Sequence, residues 1–88
     1  MPYIDKNQRE KYDKIINELA KIVSEEKEEL QDGDMNYIIT KLIKKIYPLK
    51  YRHINRAMGM LECIKQEFYR RVAGPYEDIK IKENGDVE

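Results

Sequence analysis

Four of the arginines and three of the tyrosines are the residues here whose types and spacing could do chemistry. They are Arg52, Arg56, Arg70 and Arg71, with Tyr37, Tyr47 and Tyr76. A guanidinium is a planar fork that grips a phosphate through paired hydrogen bonds. A phenol ring on an exposed face stacks on a base or on a cation. Together they would bind an anionic, partly planar ligand of the nucleotide type. Catalysis is not signalled. The chain has one cysteine and one histidine, no glycine loop to cradle phosphate, no paired-cysteine spacing for zinc and no histidine–carboxylate cluster. No enzyme, cofactor or metal site is expected. If acid–base or metal chemistry occurred, Glu62, Glu67 and Asp78 beside Arg70 and Arg71 would be its first candidates.

Most of these arginines belong to one stretch, His53 to Tyr76. On a helix of 3.6 residues per turn, Ile54, Ala57, Met58, Leu61, Ile64, Phe68 and Val72 fall on one core-facing stripe. Arg52, Arg56, Gly59, Cys63, Gln66 and Arg70 fall on the opposite side, with Arg71 pointing elsewhere. Two readings of that outer stripe stand. A second helix packs on the small residues Gly59 and Cys63, or they floor a shallow anion site whose arms are Arg52, Arg56 and Arg70. Lys65, inside the apolar sector, is expected either to snorkel or to pair with an acid such as Glu62. Gly74-Pro75 reads as the helix stop, because glycine suits a left-handed cap and proline cannot extend the ladder. Arg70 and Arg71 then sit in the last turn, complementing the helix dipole with no ligand needed.

The elements that must position these residues are helices. After the apolar lead-in Met1 to Ile4, Asp5 and Gln8 match a capping box. A first helix follows over about 6–30, with an apolar stripe from Tyr12 through Ile15, Ile16, Leu19, Ile22 and Val23. The run Ser24 to Glu29 carries no stripe and reads as a solvated last turn. Gln31-Asp32-Gly33 reads as a turn and Asp34 as the next cap. A second helix over 35–47 places Met35, Ile38, Ile39, Leu42, Ile43 and Ile46 on one face and Tyr37, Thr40, Lys44 and Tyr47 on the other. Pro48 ends it, and a third helix runs over 51–73. The expected fold is all-α, an antiparallel three-helix bundle in one domain, residues 1–75. Residues 76–88 read as an extended C-terminal tail, since Ile79 to Lys82 alternates like a strand and Asn84-Gly85 is a turn signal.

Composition bounds the rest. Eighty-eight residues make one small domain, and 39% of them are charged. A core this limited makes homo-oligomerisation a natural stabiliser. The net charge is zero but unevenly spread. Residues 1–34 carry 6 basic and 10 acidic side chains, residues 35–75 carry 9 and 2, and residues 76–88 carry 2 and 5. The cationic middle is either neutralised by the acidic ends or faces an anionic partner. The zero total argues against general nucleic-acid coating. A helix-turn-helix reading of Tyr51-Arg52-His53-Asn55-Arg56 ranks third. The single cysteine fits a reducing cytoplasm, and no stretch suits a membrane span or signal peptide.

Several words of the sequence carry a resemblance over nearly the whole chain. They are Met1-Pro2-Tyr3-Ile4, Gly33-Asp34-Met35-Asn36-Tyr37-Ile38-Ile39-Thr40, Gly59-Met60-Leu61-Glu62-Cys63-Ile64-Lys65, Phe68-Tyr69-Arg70-Arg71-Val72, Pro75-Tyr76-Glu77-Asp78 and Glu83-Asn84-Gly85-Asp86. The chain resembles a family of short uncharacterised proteins of bacteria and their phages. The resemblance implies a small accessory protein of the bacterial cytoplasm and no catalytic residue. By analogy of class alone, small oligomeric phage proteins that sequester nucleotide defence signals are similar in kind. The leading expectation is thus a non-enzymatic, oligomeric binder of a nucleotide-type anion. The alternative is a protein–protein adaptor or inhibitor, with a host protein as partner, that acts through helix packing.

Overall fold

The computed structural model describes residues 4–87; the start of the apolar lead-in, residues 1–3, lies outside the described residues, as does residue 88. Among the described residues all regular structure is helical, so the all-α class holds. The chain divides into two units, one ending at Pro48 and the other starting at Leu49.

The first unit is a helical hairpin of α1 (Lys6–Ser24) and α2 (Glu28–Ile46). Asp5 occupies the N-cap position of α1, as its sequence signals. Its carbonyl accepts the Gln8 N–H at 2.9 Å, but its side chain makes no capping bond. The break between the helices falls at Glu25 to Lys27, not at Gln31 to Asp34. That corrects the expected boundaries 6–30 and 35–47, and electrostatics supplies the reason. As the end of a first helix, the glutamate run would put negative charge at the negative pole of the dipole. In the observed fold Glu28 and Glu29 lie in the first turn of α2, where the positive pole favours them. Gly33 is absorbed within α2, and Gln31 Nε2 donates to the Glu26 carbonyl at 3.2 Å to tie the new helix to the turn. The other end of α2 is as expected. Tyr47 is extended (φ −95°, ψ 123°) ahead of Pro48, because the proline ring crowds a helical residue before it.

The second unit is one continuous helical run. It comprises α3 (Tyr51–Phe68), a π-helical turn (Tyr69–Ala73) and α4 (Gly74–Asn84). The tail expected to be extended over 76–88 is therefore helical as far as Asn84, and Gly74-Pro75 is not a stop. Gly74 has φ −59° and ψ −55°, ordinary right-handed values, and its N–H donates to the carbonyl of Tyr69, five residues back. The wider π register accommodates a proline that lacks an N–H and whose ring would press on the carbonyl four residues before it. Glycine at 74 has its own reason, since a Cβ there would lie 3.2 Å from the Tyr69 carbonyl oxygen. The stop comes at Gly85, the one positive-φ residue among those described (φ 87°). Its N–H closes on the Ile81 carbonyl at 2.8 Å. The turn signal at Asn84-Gly85 thus marks a helix end rather than a hairpin, and the Ile79–Ile81 alternation was too short to specify a strand against helical continuation.

Burial is sparse. Ala57, at 6% exposure, is the one buried apolar residue among those described. In the hairpin, Leu19, Val23 and Ile38 are half-buried, while Ile16 is 57% exposed and Leu42 49%. In the second unit Phe68 is 63% exposed, and Met58, Val72 and Tyr76 are also exposed. The stripes read from periodicity exist as surfaces. Within each unit by itself they do not close into a dry core.

Candidate functional site

The polar face of α2 carries a concave surface. Asp32, Gly33, Asn36, Tyr37, Thr40, Lys41, Lys44 and Lys45 line a depression of about 920 Å³. Their spacing is helical: 33, 36, 37, 40, 41 and 44 recur at three and four residues, so they share one side of the helix. Two of the polar pairs are internally bonded. Lys41 Nζ donates to the Tyr37 hydroxyl at 2.9 Å and lies 5.2 Å from the ring centroid. The Thr40 hydroxyl donates to Asn36 Oδ1 at 3.1 Å. An aromatic ring is thus held by an adjacent ammonium, with Lys44 and Lys45 one turn further on. Tyr37 was expected to take part in binding. Lys41 and Lys45 join it on this face, and the Tyr37–Lys41 spacing of four residues is a readable signal for a held pair.

The expected arginines all lie in the second unit and fall into two patches. Arg52 and Arg56 flank His53 at the start of α3. Arg52 Nη2 lies 3.1 Å from His53 Nε2, and Arg56 Nη2 lies 3.3 Å from His53 Nδ1. A neutral imidazole offers one acceptor nitrogen, so the ring accepts from one guanidinium at a time. Arg70 is clamped by Glu67, its Nη2 lying 3.1 Å from Oε1 and 2.9 Å from Oε2. An incoming anion would compete with that carboxylate. Arg71 belongs to the same π turn as Arg70. Fourteen residues separate Arg56 from Arg70, about 21 Å along the helix at 1.5 Å per residue. Along this helix the two patches are therefore separate.

The remaining expected residues are placed as follows. Tyr76 carries Lys80 Nζ 5.6 Å from its ring centroid. Tyr47 is half-buried at the end of α2. Glu62 accepts from Gln66 Nε2 at 3.1 Å and pairs with Lys65 at 3.7 Å, as its spacing implies. Gly59 has no atom within 4 Å of the position its Cβ would take, and Cys63 is exposed. Among the described residues, no group of three or more His, Cys, Asp or Glu could hold a metal ion. No helix among them is long and apolar enough to cross a membrane.

A second surface is apolar. Between α1 and α2 runs a cleft of about 570 Å³, walled chiefly by Ile16, Leu19, Val23, Met35, Ile39 and Leu42. Ser24, Gln31 and Asp32 add polar groups to an otherwise apolar lining. Its chemistry is that of a docking groove for another apolar helix face.

Comparison with known proteins adds a family and no activity. Residues 1–87 match the family model described as a domain of unknown function, DUF6899. No curated protein and no solved structure matches the chain.

Proposed function

We propose, from the premise that the chain belongs to DUF6899, a family of unknown function, that it is a non-enzymatic interaction protein whose apolar helix faces are covered by another polypeptide. One observation carries the reading. In each unit the apolar stripe stays exposed, at Ile16 and Leu42 in the hairpin and at Met58, Phe68 and Val72 in the second unit, and Ala57 is the one buried apolar residue among those described. At roughly 25 cal/mol per Å² of apolar area, leaving such surface wet forgoes a large part of the drive to fold. An adaptor, an inhibitor and a homo-oligomer all meet this need. A reducing cytoplasm suits the exposed thiol of Cys63. The test is thermal unfolding followed by circular dichroism over about two decades of protein concentration. Stability that rises with concentration, or poor cooperativity at every concentration, agrees with the reading. A cooperative monomer whose melting temperature ignores concentration overturns it.

A second reading is supported by the α2 polar face. Tyr37 beside Lys41, with Lys44 one turn on, suits a nucleotide-type anion by ring stacking and phosphate pairing. In this reading the arginine patches hold further phosphates and the protein sequesters its ligand without turnover. Native mass spectrometry with a panel of mono-, di- and cyclic nucleotides reports bound mass directly. Retention of one nucleotide that Lys41→Ala with Lys44→Ala abolishes would support this site. Retention unaffected by that pair, but lost in Arg56→Ala with Arg70→Ala, would move the ligand to the arginines.

A further inference from the structure

The charge of the helical hairpin is sorted along its length. Residues 18–34, at the turn end, carry 7 acidic and 2 basic side chains. Residues 5–17 and 35–46, at the open end, carry 7 basic and 3 acidic ones. The acids at the turn include Glu25, Glu26, Glu28, Glu29, Asp32 and Asp34; the bases at the open end include Lys6, Arg9, Lys14, Lys41, Lys44 and Lys45. One end is thus net −5 and the other net +4. Between them lies the apolar cleft of Ile16, Leu19, Val23, Met35, Ile39 and Leu42. Ile16, Met35 and Leu42 are exposed on the hairpin.

We infer that this cleft is the face of an antiparallel homodimer, in which the turn end of one hairpin lies on the open end of a second copy. The inference rests on the proposed function and deepens it by naming the partner and its orientation. Two observations select this occupant. A two-fold interface needs a patch that complements itself. Reversing the hairpin end for end sets the −5 end of each copy on the +4 end of the other. A parallel pairing sets like ends together, which electrostatics penalises. The helices have equal length, 19 residues each, so a reversed copy matches end to end over roughly 28 Å at 1.5 Å per residue. The product is a four-helix arrangement with the apolar cleft residues inside.

The test uses the full chain with Cys63→Ser and single cysteines placed along the cleft. Ile39 lies near the midpoint of α2, close to the two-fold axis, and Val23 lies at the turn end. In the antiparallel dimer the two Val23 positions are roughly 24 Å apart at 1.5 Å per residue, beyond the reach of a disulfide. Under mild oxidation Ile39→Cys should give a disulfide dimer and Val23→Cys should not. The reverse pattern, Val23→Cys linking readily, means a parallel pairing; it overturns the orientation and leaves the interaction reading standing. Charge reversal gives a second arm that disulfide geometry does not affect. Lys41→Glu with Lys44→Glu and Lys45→Glu should weaken dimerisation about tenfold or more. Adding Glu25→Lys, Glu28→Lys and Glu29→Lys to the same chain should restore it, because both ends then change sign. Failure to restore overturns the end-to-end charge match. A chain that remains monomeric in sedimentation equilibrium and poorly cooperative on melting overturns the second copy as occupant while keeping the interaction reading. A stable cooperative monomer overturns both.

Discussion

The hydroxyl of Tyr69 donates to Glu77 Oε1 at 2.6 Å, spanning eight residues of helix. In a regular α-helix, positions eight apart differ by about 80° around the axis, and positions seven apart by only about 20°. The π turn at Tyr69–Ala73 takes up roughly one extra residue, so Tyr69 and Glu77 meet as if they were seven apart. The bond is therefore a readout of the π turn.

That bond has a consequence for pH. The Glu77 carboxylate holds the Tyr69 phenol in its neutral form, first by accepting its hydrogen bond and second by its charge, so the pKa is raised above 10.0. The folded state favours the protonated phenol. Its contribution is therefore fully present below the unfolded value near 10 and is lost as pH rises through the higher folded value. Site-resolved NMR titration of the seven tyrosines should show Tyr69 ionising above an ordinary phenol, and Glu77→Gln should lower its midpoint. A Tyr69 midpoint that Glu77→Gln leaves unchanged would remove the bond from the account.

Three helical glycines should respond differently to alanine. Nothing lies within 4 Å of a Cβ at Gly33 or Gly59, whereas at Gly74 the Tyr69 carbonyl oxygen lies at 3.2 Å. Gly33→Ala and Gly59→Ala should each stabilise the free chain by about 1 kcal/mol through helix propensity. Gly74→Ala should yield no such gain, because the contact falls on backbone. Denaturant unfolding compares the three, and an equal gain at all of them would mean the π turn yields without cost.

Replacing Pro75 tests the origin of the π turn. Pro75→Ala restores an N–H and removes the ring that presses on the Arg71 carbonyl. The segment should relax to α-helix, with stability rising by at most about 3 kcal/mol. Tyr69 and Glu77 should then part, bringing the Tyr69 midpoint down. Retention of the raised midpoint in Pro75→Ala would show that the π turn does not depend on the proline.

A charge placed in the apolar cleft should act through assembly. Leu42 is 49% exposed, so Leu42→Glu in an isolated hairpin meets water and costs little. If a second polypeptide covers the cleft, the same change buries an unpaired carboxylate and should weaken association by several kcal/mol. Analytical ultracentrifugation of the variant separates these outcomes; unchanged association would clear the cleft of any role.

Much of the fold is legible in the residue pattern alone. The apolar spacing of Met35, Ile38, Ile39, Leu42 and Ile46 specifies a helix because helical geometry repeats every 3.6 residues. Pro48 specifies its end because the ring crowds the residue before it. The Glu62–Lys65 pair and the Tyr37–Lys41 pair follow from the same local repeat, and the sorting of charge along the chain needs only the sequence. Three things required the folded chain. The position of the first break turned on whether Glu25 to Glu29 closes one helix or opens the next, a choice that a local pattern leaves balanced and the dipole of α2 decides. Gly74-Pro75 carries the same stop signal whether a helix ends there or widens. Only the five-residue bond from Gly74 N–H to the Tyr69 carbonyl distinguishes the two cases. The two arginine patches likewise fall on one projected stripe, but the rise along the axis separates them, because a helical wheel records angle and discards distance. Periodicity names the face that seeks burial; the tertiary structure decided that neither unit by itself covers it.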